Sequence, residues 1–237
     1  MADTIFTFSA GSSLERRGLR DRVYDLVLDM LMSSPIEPGT RLSIDAVARD
    51  LGVSPTPVRE ALVQLERTGL VTREAHKGYR VADPLADGQL EALFDARLVL
   101  EAGATALAAR RPEVLIPALE EALAEQVAIT QRIHSATKNG DMPVELIRDY
   151  YSVDWNFHHR IFEGTRNSFL LDMSESISTR VHRMRQTVES GISDADEAVA
   201  EHKEILRAIS VSPEAAADAM RRHVESVRER SRRDAAH

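Results

Sequence analysis

The hydrophobic period changes twice along the chain, and those changes limit the fold more than any single residue does. Within about residues 14–32, Leu19, Val23, Leu26, Val27, Met30 and Leu31 recur at helical spacing. Pro35, Pro38 and Gly39 then mark a tight connection. Ser43 is placed to cap a short second helix, with Ile44, Val47, Ala48 and Leu51 on its apolar face and Gly52 as its stop. A third helix turns Val58, Ala61, Leu62 and Leu65 inward and ends at Gly69. LVTREAHKGYRVAD, residues 70–83, instead alternates apolar and polar residues around Lys77-Gly78, the pattern of a β-hairpin. From about residue 88 the helical period returns and no strand signal follows. Breaks at Arg111-Pro112, Lys138-Asn139-Gly140, Gly164 to Asn167, Ser190-Gly191 and Ser212-Pro213 leave six helices, near 88–110, 113–135, 143–164, 168–190, 194–210 and 213–234. Asp194 with Glu197, and Ser212 followed by Pro213, read as helix starts.

Three helices followed by a hairpin make the layout of a winged helix-turn-helix. The fold class is therefore mostly α: a winged helix-turn-helix over 1–82, a linker over 83–88, and an all-α antiparallel bundle over 89–237. No apolar run approaches the roughly 20 residues that span a bilayer. The N-terminus lacks the basic and apolar regions of a secretory signal. The chain has no cysteine, which excludes disulfides and thiolate metal sites and fits a reducing cytoplasm.

A net charge of −8 argues against a strong general attraction to nucleic acid, yet it is unevenly spread. The first 82 residues hold 11 basic and 11 acidic side chains, so the remainder carries the whole excess. Phosphate contacts must then come from a local cluster. In VSPTPVREALVQLERTGL, residues 53–70, two prolines head the third helix. The first helical residues make no intrahelical N–H bond, so proline is tolerated there, and a residue before proline is pushed out of the α region. Either Ser54 caps with Pro55 at the first position, or Thr56 caps with Pro57 there. The first turn thus exposes Ser54, Thr56 and Arg59, hydroxyls and a forked donor that suit phosphates and guanine edges. The start of a second helix in such a motif is what meets the major groove.

These residues resemble the GntR family of bacterial transcription regulators: PGTRL (38–42), AVARDLGVSPTPVREALVQLERTGLV (46–71) and the glycine-tipped HKGYRV (76–81). The resemblance implies that the third helix reads the major groove and the wing tip approaches the minor groove. It carries a base-contact role onto Arg59, against a surface pair or a phosphate contact. Lys77 and Gly78 stand at the wing tip, and Arg41 and Arg49 are either backbone contacts or solvated charges. Two departures matter. Pro55 stands where the family usually has a DNA-contacting arginine, and Asp45 falls near a basic or polar DNA-contacting position. No operator sequence transfers across them.

In YYSVDWNFHHRIFEG, Asp154 and His158 share a helix face, while His159 points about 100° away. His202 and His223 lie on two later helices, and a bundle can bring three facing helices around one inward site. Three imidazoles and a carboxylate suit a divalent ion such as Zn²⁺, Ni²⁺ or Mn²⁺. Spacing alone is a weak signal, since single histidines are more often core or surface residues. The segments DARLVLEAGATALAA (95–109), DWNFHHRI (154–161), EHKEILRAI (201–209) and ADAMRRH (217–223) add to it, for they resemble the FCD effector domain of FadR-type GntR proteins. That resemblance implies a metal on Asp154, His158, His202 and His223. It also implies that Arg97 faces the ligand cavity, where a guanidinium binds a carboxylate bidentately; the competing reading is an i,i+4 ion pair with Glu101. Arg148, Asn167 and Arg185 are further effector-pocket candidates, with surface or capping roles as the alternative. His134, His182 and His237 read as solvated or structural.

The resulting expectation is a cytoplasmic homodimer that places two recognition helices on a pseudopalindromic double-stranded operator. A small carboxylate effector at the metal and Arg97 would bias DNA affinity, and relief of repression is the commoner family behaviour. Two alternatives stand beside it: the same regulator with a purely structural metal, and a metal-dependent hydrolase or lyase.

Overall fold

A computed structural model describes residues 10–33, 36–74, 77–83, 85–139, 143–186 and 194–234. The chain divides into two compact units, Met1–Asp83 and Pro84–His237.

In the first unit α1 (Ala10–Ser33) packs on α3 (Pro55–Thr68), with the short α2 (Ile44–Asp50) beside α3. Val58, Ala61, Leu62 and Leu65 are completely buried, so the expected inward face of α3 is its core face. They meet Val23, Val27 and Leu31 of α1, an i, i+4, i+8 line. Leu19 and Leu26, expected on the same stripe, are 40% and 50% exposed. Packing on α3 buries a narrower line than the spacing outlines, and these two leucines fall on its flank. Ser43 caps α2 by accepting from the Ala46 N–H at 3.3 Å. Gly69 ends α3 in the left-handed conformation, φ 80°, open to glycine at no steric cost.

The expected hairpin is β2 (Val71–Glu74) against β3 (Gly78–Val81), antiparallel, with Thr72 opposite Arg80 and Arg73 opposite Tyr79. A third strand, β1 (Arg41–Leu42), pairs with the other edge of β3 through Arg41↔Arg80 and Leu42↔Tyr79. Two residues are too few to show a period, so PGTRL reads as a connection until its partner strand is in place.

Among its described residues the second unit's regular elements are all helices: α4 (Asp87–Ala108), α5 (Pro112–Asn139), α6 (Val144–Gly164), α7 (Ser168–Gln186), α8 (Ala195–Ile209) and α9 (Pro213–Asp234). Helix α4 starts at Asp87, two residues inside the expected linker. It packs on α9, α6 and α7, while α5 packs on α6 and α8. Phe94, Leu119, Phe157, Ile161, Phe162, Ile205 and Met220 are buried at the centre. At one side a smaller cluster joins Ile129, Ile133, Leu146, Tyr150, Tyr151 and Ala195. The Ser212 cap is realised, its Oγ accepting from the Ala215 N–H at 3.1 Å. Asp194 occupies the cap position of α8 but makes no side-chain capping bond. Its carboxylate instead accepts from the Tyr150 hydroxyl at 3.2 Å and from Arg230 Nε at 3.3 Å. A charged partner outweighs a backbone N–H for that carboxylate.

Candidate functional site

In the first unit, helix α3 begins at Pro55 with Ser54 as its N-cap, which decides between the two proline registers. The Ser54 side chain makes no capping bond. Ser54, Thr56 and Arg59 are exposed together on the first turn and a half, while Pro57 is buried beneath them. Arg41 on β1 and Arg49 at the end of α2 are exposed as well. At the wing, the Lys77 N–H donates to the Glu74 carbonyl at 3.1 Å and Gly78 turns with φ 88°. Lys77 Nζ lies 3.4 Å from Glu74, on which Arg80 Nε also converges at 3.2 Å. The wing cation is thus held by an exposed pair that screens easily and leaves it available to a phosphate.

In the second unit, three helices deliver one histidine each to one place. His158 on α6, His202 on α8 and His223 on α9 are all buried, and one ring nitrogen from each falls within 4.8 Å of the others. His202 Nε2 and His158 Nε2 are 3.3 Å apart. Aromatic packing fixes the rings: Phe157 stacks on His202 with centroids 4.0 Å apart, and Trp155 stacks on His158 at 5.5 Å. Asp154, one turn before His158, sits at the edge of the group, its Oδ1 4.0 Å from His202 Nε2.

Each histidine turns its other nitrogen to an oxygen. His158 Nδ1 stands 2.8 Å from Glu101 Oε2 on α4. His202 Nδ1 is 2.7 Å from Gln126 Oε1 on α5. His223 Nδ1 is 2.7 Å from Glu201 Oε2 on α8. For His202 and His223 an acceptor at Nδ1 favours the tautomer with its proton on Nδ1, which is how metal-binding histidines are oriented, whereas the His158 Nδ1 contact with Glu101 lacks hydrogen-bond geometry. His223 Nε2 is buried without a hydrogen-bond partner. A buried orphan nitrogen among other imidazoles is costly unless something binds it, so these residues fit a divalent cation.

The charges agree with that donor set. Burial, with His158 and Arg97 nearby, pushes His223 below its ordinary pKa against the opposing pull of Glu201, a direction that favours the neutral ring a metal needs. Burial pushes the Glu101 carboxyl up, but Arg97 and His158 beside it outweigh burial and hold it well below the usual carboxylate range. Glu201 is likewise raised by burial and more strongly lowered by hydrogen bonds from Arg230 and His223, down to about 2.

Arg97, 1% exposed, forms the ion pair with Glu101, through Nε at 2.6 Å and Nη2 at 3.4 Å. Its Nη1 is buried without a hydrogen-bond partner. The pair therefore leaves one guanidinium edge unspent. Asn167 is exposed and its Oδ1 accepts from the Phe169 and Leu170 N–H groups at 3.0 and 3.3 Å, so α7 uses it as a cap. The side chains of Arg148, Arg185 and His182, and His237 as a whole, lie outside the described residues. His159 turns aside to Glu163 at 3.6 Å, and His134 is exposed and paired with Asp196.

Sequence reasoning names Glu101 only as the partner of Arg97 and passes over Gln126, Glu201 and Arg230. Gln126 carried a readable signal, for it interrupts the stripe Ala122, Leu123, Ile129 and Ile133, where a polar residue needs a buried partner. Arg230 lies seven residues beyond His223 on the same face of α9, and it grips Glu201 with Nη1 at 2.6 Å and Nη2 at 3.0 Å.

Comparison with known proteins agrees with this architecture. Residues 19–81 match the family "Bacterial regulatory proteins, gntR family", and residues 92–226 match the "FCD domain". The Nta operon transcriptional regulator of Aminobacter aminovorans is 32% identical over 158 residues, 66% of this chain and 68% of that one. The HTH-type transcriptional repressor RspR of Escherichia coli is 25% identical over 212 residues, 89% of this chain and 88% of that one. A solved GntR-type structure from Rhodococcus sp. RHA1 shares the fold with a TM-score of 0.72 at 21% identity, covering 90% of this chain and 97% of that chain. Among the described residues no helix is long and apolar enough to cross a membrane. With a DNA-binding domain of one kind and an FCD domain of the other joined in a single polypeptide, the chain belongs to the GntR family of bacterial transcription regulators rather than to any family of enzymes.

Proposed function

We propose that this regulator binds a pseudopalindromic operator as a cytoplasmic homodimer and that a small organic acid tunes its DNA affinity from a divalent-metal site. Asp154, His158, His202 and His223 would hold the ion, and Arg97 would take the carboxylate of the acid. The observation that carries the reading is the pair of unspent buried donors and acceptors, His223 Nε2 and Arg97 Nη1, within one cluster. A bound divalent ion supplies a Lewis-acidic charge that an anionic oxygen can share. The guanidinium, already anchored by Glu101, offers its remaining edge without having to be ordered first. Ser54, Thr56 and Arg59 would read the major groove, with Arg41, Arg49, Lys77 and Gly78 on the backbone and wing. Repression relieved by the acid is the sense we assign, in keeping with the repressor among the relatives.

The complete burial of the histidines also favours a second reading, a metal that is structural only. One experiment separates the two. Metal-stripped protein is titrated with Zn²⁺, and the zinc-loaded protein is screened by thermal shift against simple mono- and dicarboxylic acids. Binding to DNA from upstream of its own gene is followed by fluorescence anisotropy. A further shift with one acid, a matching fall in DNA affinity, and loss of both in Arg97→Ala support the effector reading. A zinc shift with no acid effect on either readout would leave the structural reading.

A further inference from the structure

Gln126 is fully buried on α5, and it touches two of the four candidate ligands from different helices. Its Nε2 donates to Asp154 Oδ1 on α6 at 2.9 Å, and its Oε1 lies 2.7 Å from His202 Nδ1 on α8. The two ends of an amide are chemically opposite, since the NH₂ end only donates and the oxygen only accepts. With the NH₂ end given to the Asp154 carboxyl oxygen, the amide oxygen is left for His202. His202 must then carry its proton on Nδ1. Its Nε2 is thereby assigned as the nitrogen turned toward His158 Nε2, 3.3 Å away. The backbone around Gln126 is itself held, its carbonyl accepting from the Thr130 hydroxyl at 2.8 Å.

We propose that Gln126 is a positioning residue that assembles the metal site, clamping Asp154 and His202 to each other and setting the His202 tautomer. It differs in kind from the carboxylates Glu101 and Glu201 behind the other two histidines. A neutral amide is the group of that shape that can donate to an aspartate and accept from an imidazole at once. A carboxylate in its place would face Asp154 with like charge, and an apolar side chain would leave both ligands without this partner. The proposal rests on the metal reading above, and its test keeps the two apart.

Gln126→Met preserves side-chain length and removes both polar ends. Zinc affinity of full-length protein is measured by competition with a chromophoric chelator, and the His202 ring nitrogens are read by long-range ¹H–¹⁵N spectra. The zinc Kd is expected to rise roughly 10–100-fold in the variant, the usual cost of losing an outer partner of a ligand. Wild-type His202 is expected to keep a proton on Nδ1 with and without zinc, whereas the variant gains the Nε2–H form when metal-free. The wild-type spectrum tests the assignment even where the variant folds poorly. A bare Nδ1 on wild-type His202 overturns the proposal. So does a weakened Kd with the His202 tautomer unmoved, which is what a merely structural glutamine would give. An unchanged Kd in the variant overturns this proposal alone, and a wild-type protein that binds no zinc overturns the metal reading with it.

Discussion

Replacing His223 by leucine separates what this residue does for the fold from what it would do for the proposed metal. In metal-free protein two effects oppose each other. Removing the buried, unpartnered Nε2 relieves a cost of about 1–3 kcal/mol, the desolvation of a polar atom that finds no bond. Removing the Nδ1 contact to Glu201 at 2.7 Å loses about 1.5–3 kcal/mol, the range for a hydrogen bond to a charged group. Arg230 still holds Glu201 through two contacts, so the carboxylate is not left alone. The two terms nearly cancel, and the metal-free melting temperature of His223→Leu should stay close to that of wild type. Zinc separates the proteins. At one hundred times its Kd a ligand that binds only the folded state adds about 2.7 kcal/mol. For a domain of about 150 residues that is roughly 5–11 °C in melting temperature. Differential scanning fluorimetry with chelator and with buffered zinc reads both numbers. Wild type should gain the full shift and His223→Leu little of it. An equal zinc shift in both proteins would refute the reasoning, because the orphan nitrogen would then have no part in binding.

Three further outcomes follow from other parts of the molecule. Arg59→Ala should lose about 1–3 kcal/mol of operator affinity, the discrimination of one bidentate base contact, while non-specific DNA binding persists; unchanged anisotropy titrations on an operator fragment contradict its role. Gly164→Ala should lower the urea midpoint, because a Cβ there would stand 2.9 Å from Leu115 Cδ1 and 3.2 Å from Ala108 Cβ. That overpacking costs about 1–3 kcal/mol against a helix-propensity gain of at most about 1 kcal/mol, so a raised midpoint would count against the tight α4–α6 approach. Glu91 on α4 accepts from Arg232 and Arg228 on α9, and those bonds lower its carboxyl from the ordinary 4.5 to about 2. A depressed folded-state pKa contributes stability above the unfolded value and loses it as pH falls through the folded one. The melting temperature should therefore drop between pH 4.5 and 2, with a shallower slope in Glu91→Gln, and equal slopes would exclude this pair as a source.

The architecture of the chain was legible in its residues, because architecture follows from local rules. A change of period marks the hairpin, helical spacing marks α3 and its buried face, and proline with a preceding hydroxyl marks where α3 and α9 begin. Residue spacing also placed Asp154 and His158 on one helix face, since four residues are about one turn. What it could not decide were contacts between elements distant along the chain. β1 exists only because β3 lies beside it. Leu19 and Leu26 stay exposed because α3 covers a narrower line than the spacing drew. Asp194 stands at the helix start as read, yet Arg230 and Tyr150 take its carboxylate. The strongest case is the histidine cluster, where Glu101, Gln126 and Glu201 stand behind His158, His202 and His223 from α4, α5 and α8. No local pattern pairs residues 76 positions apart, as Gln126 and His202 are. Only packing in three dimensions brings an amide and an imidazole within hydrogen-bond distance, and that decides which nitrogen each ring turns inward.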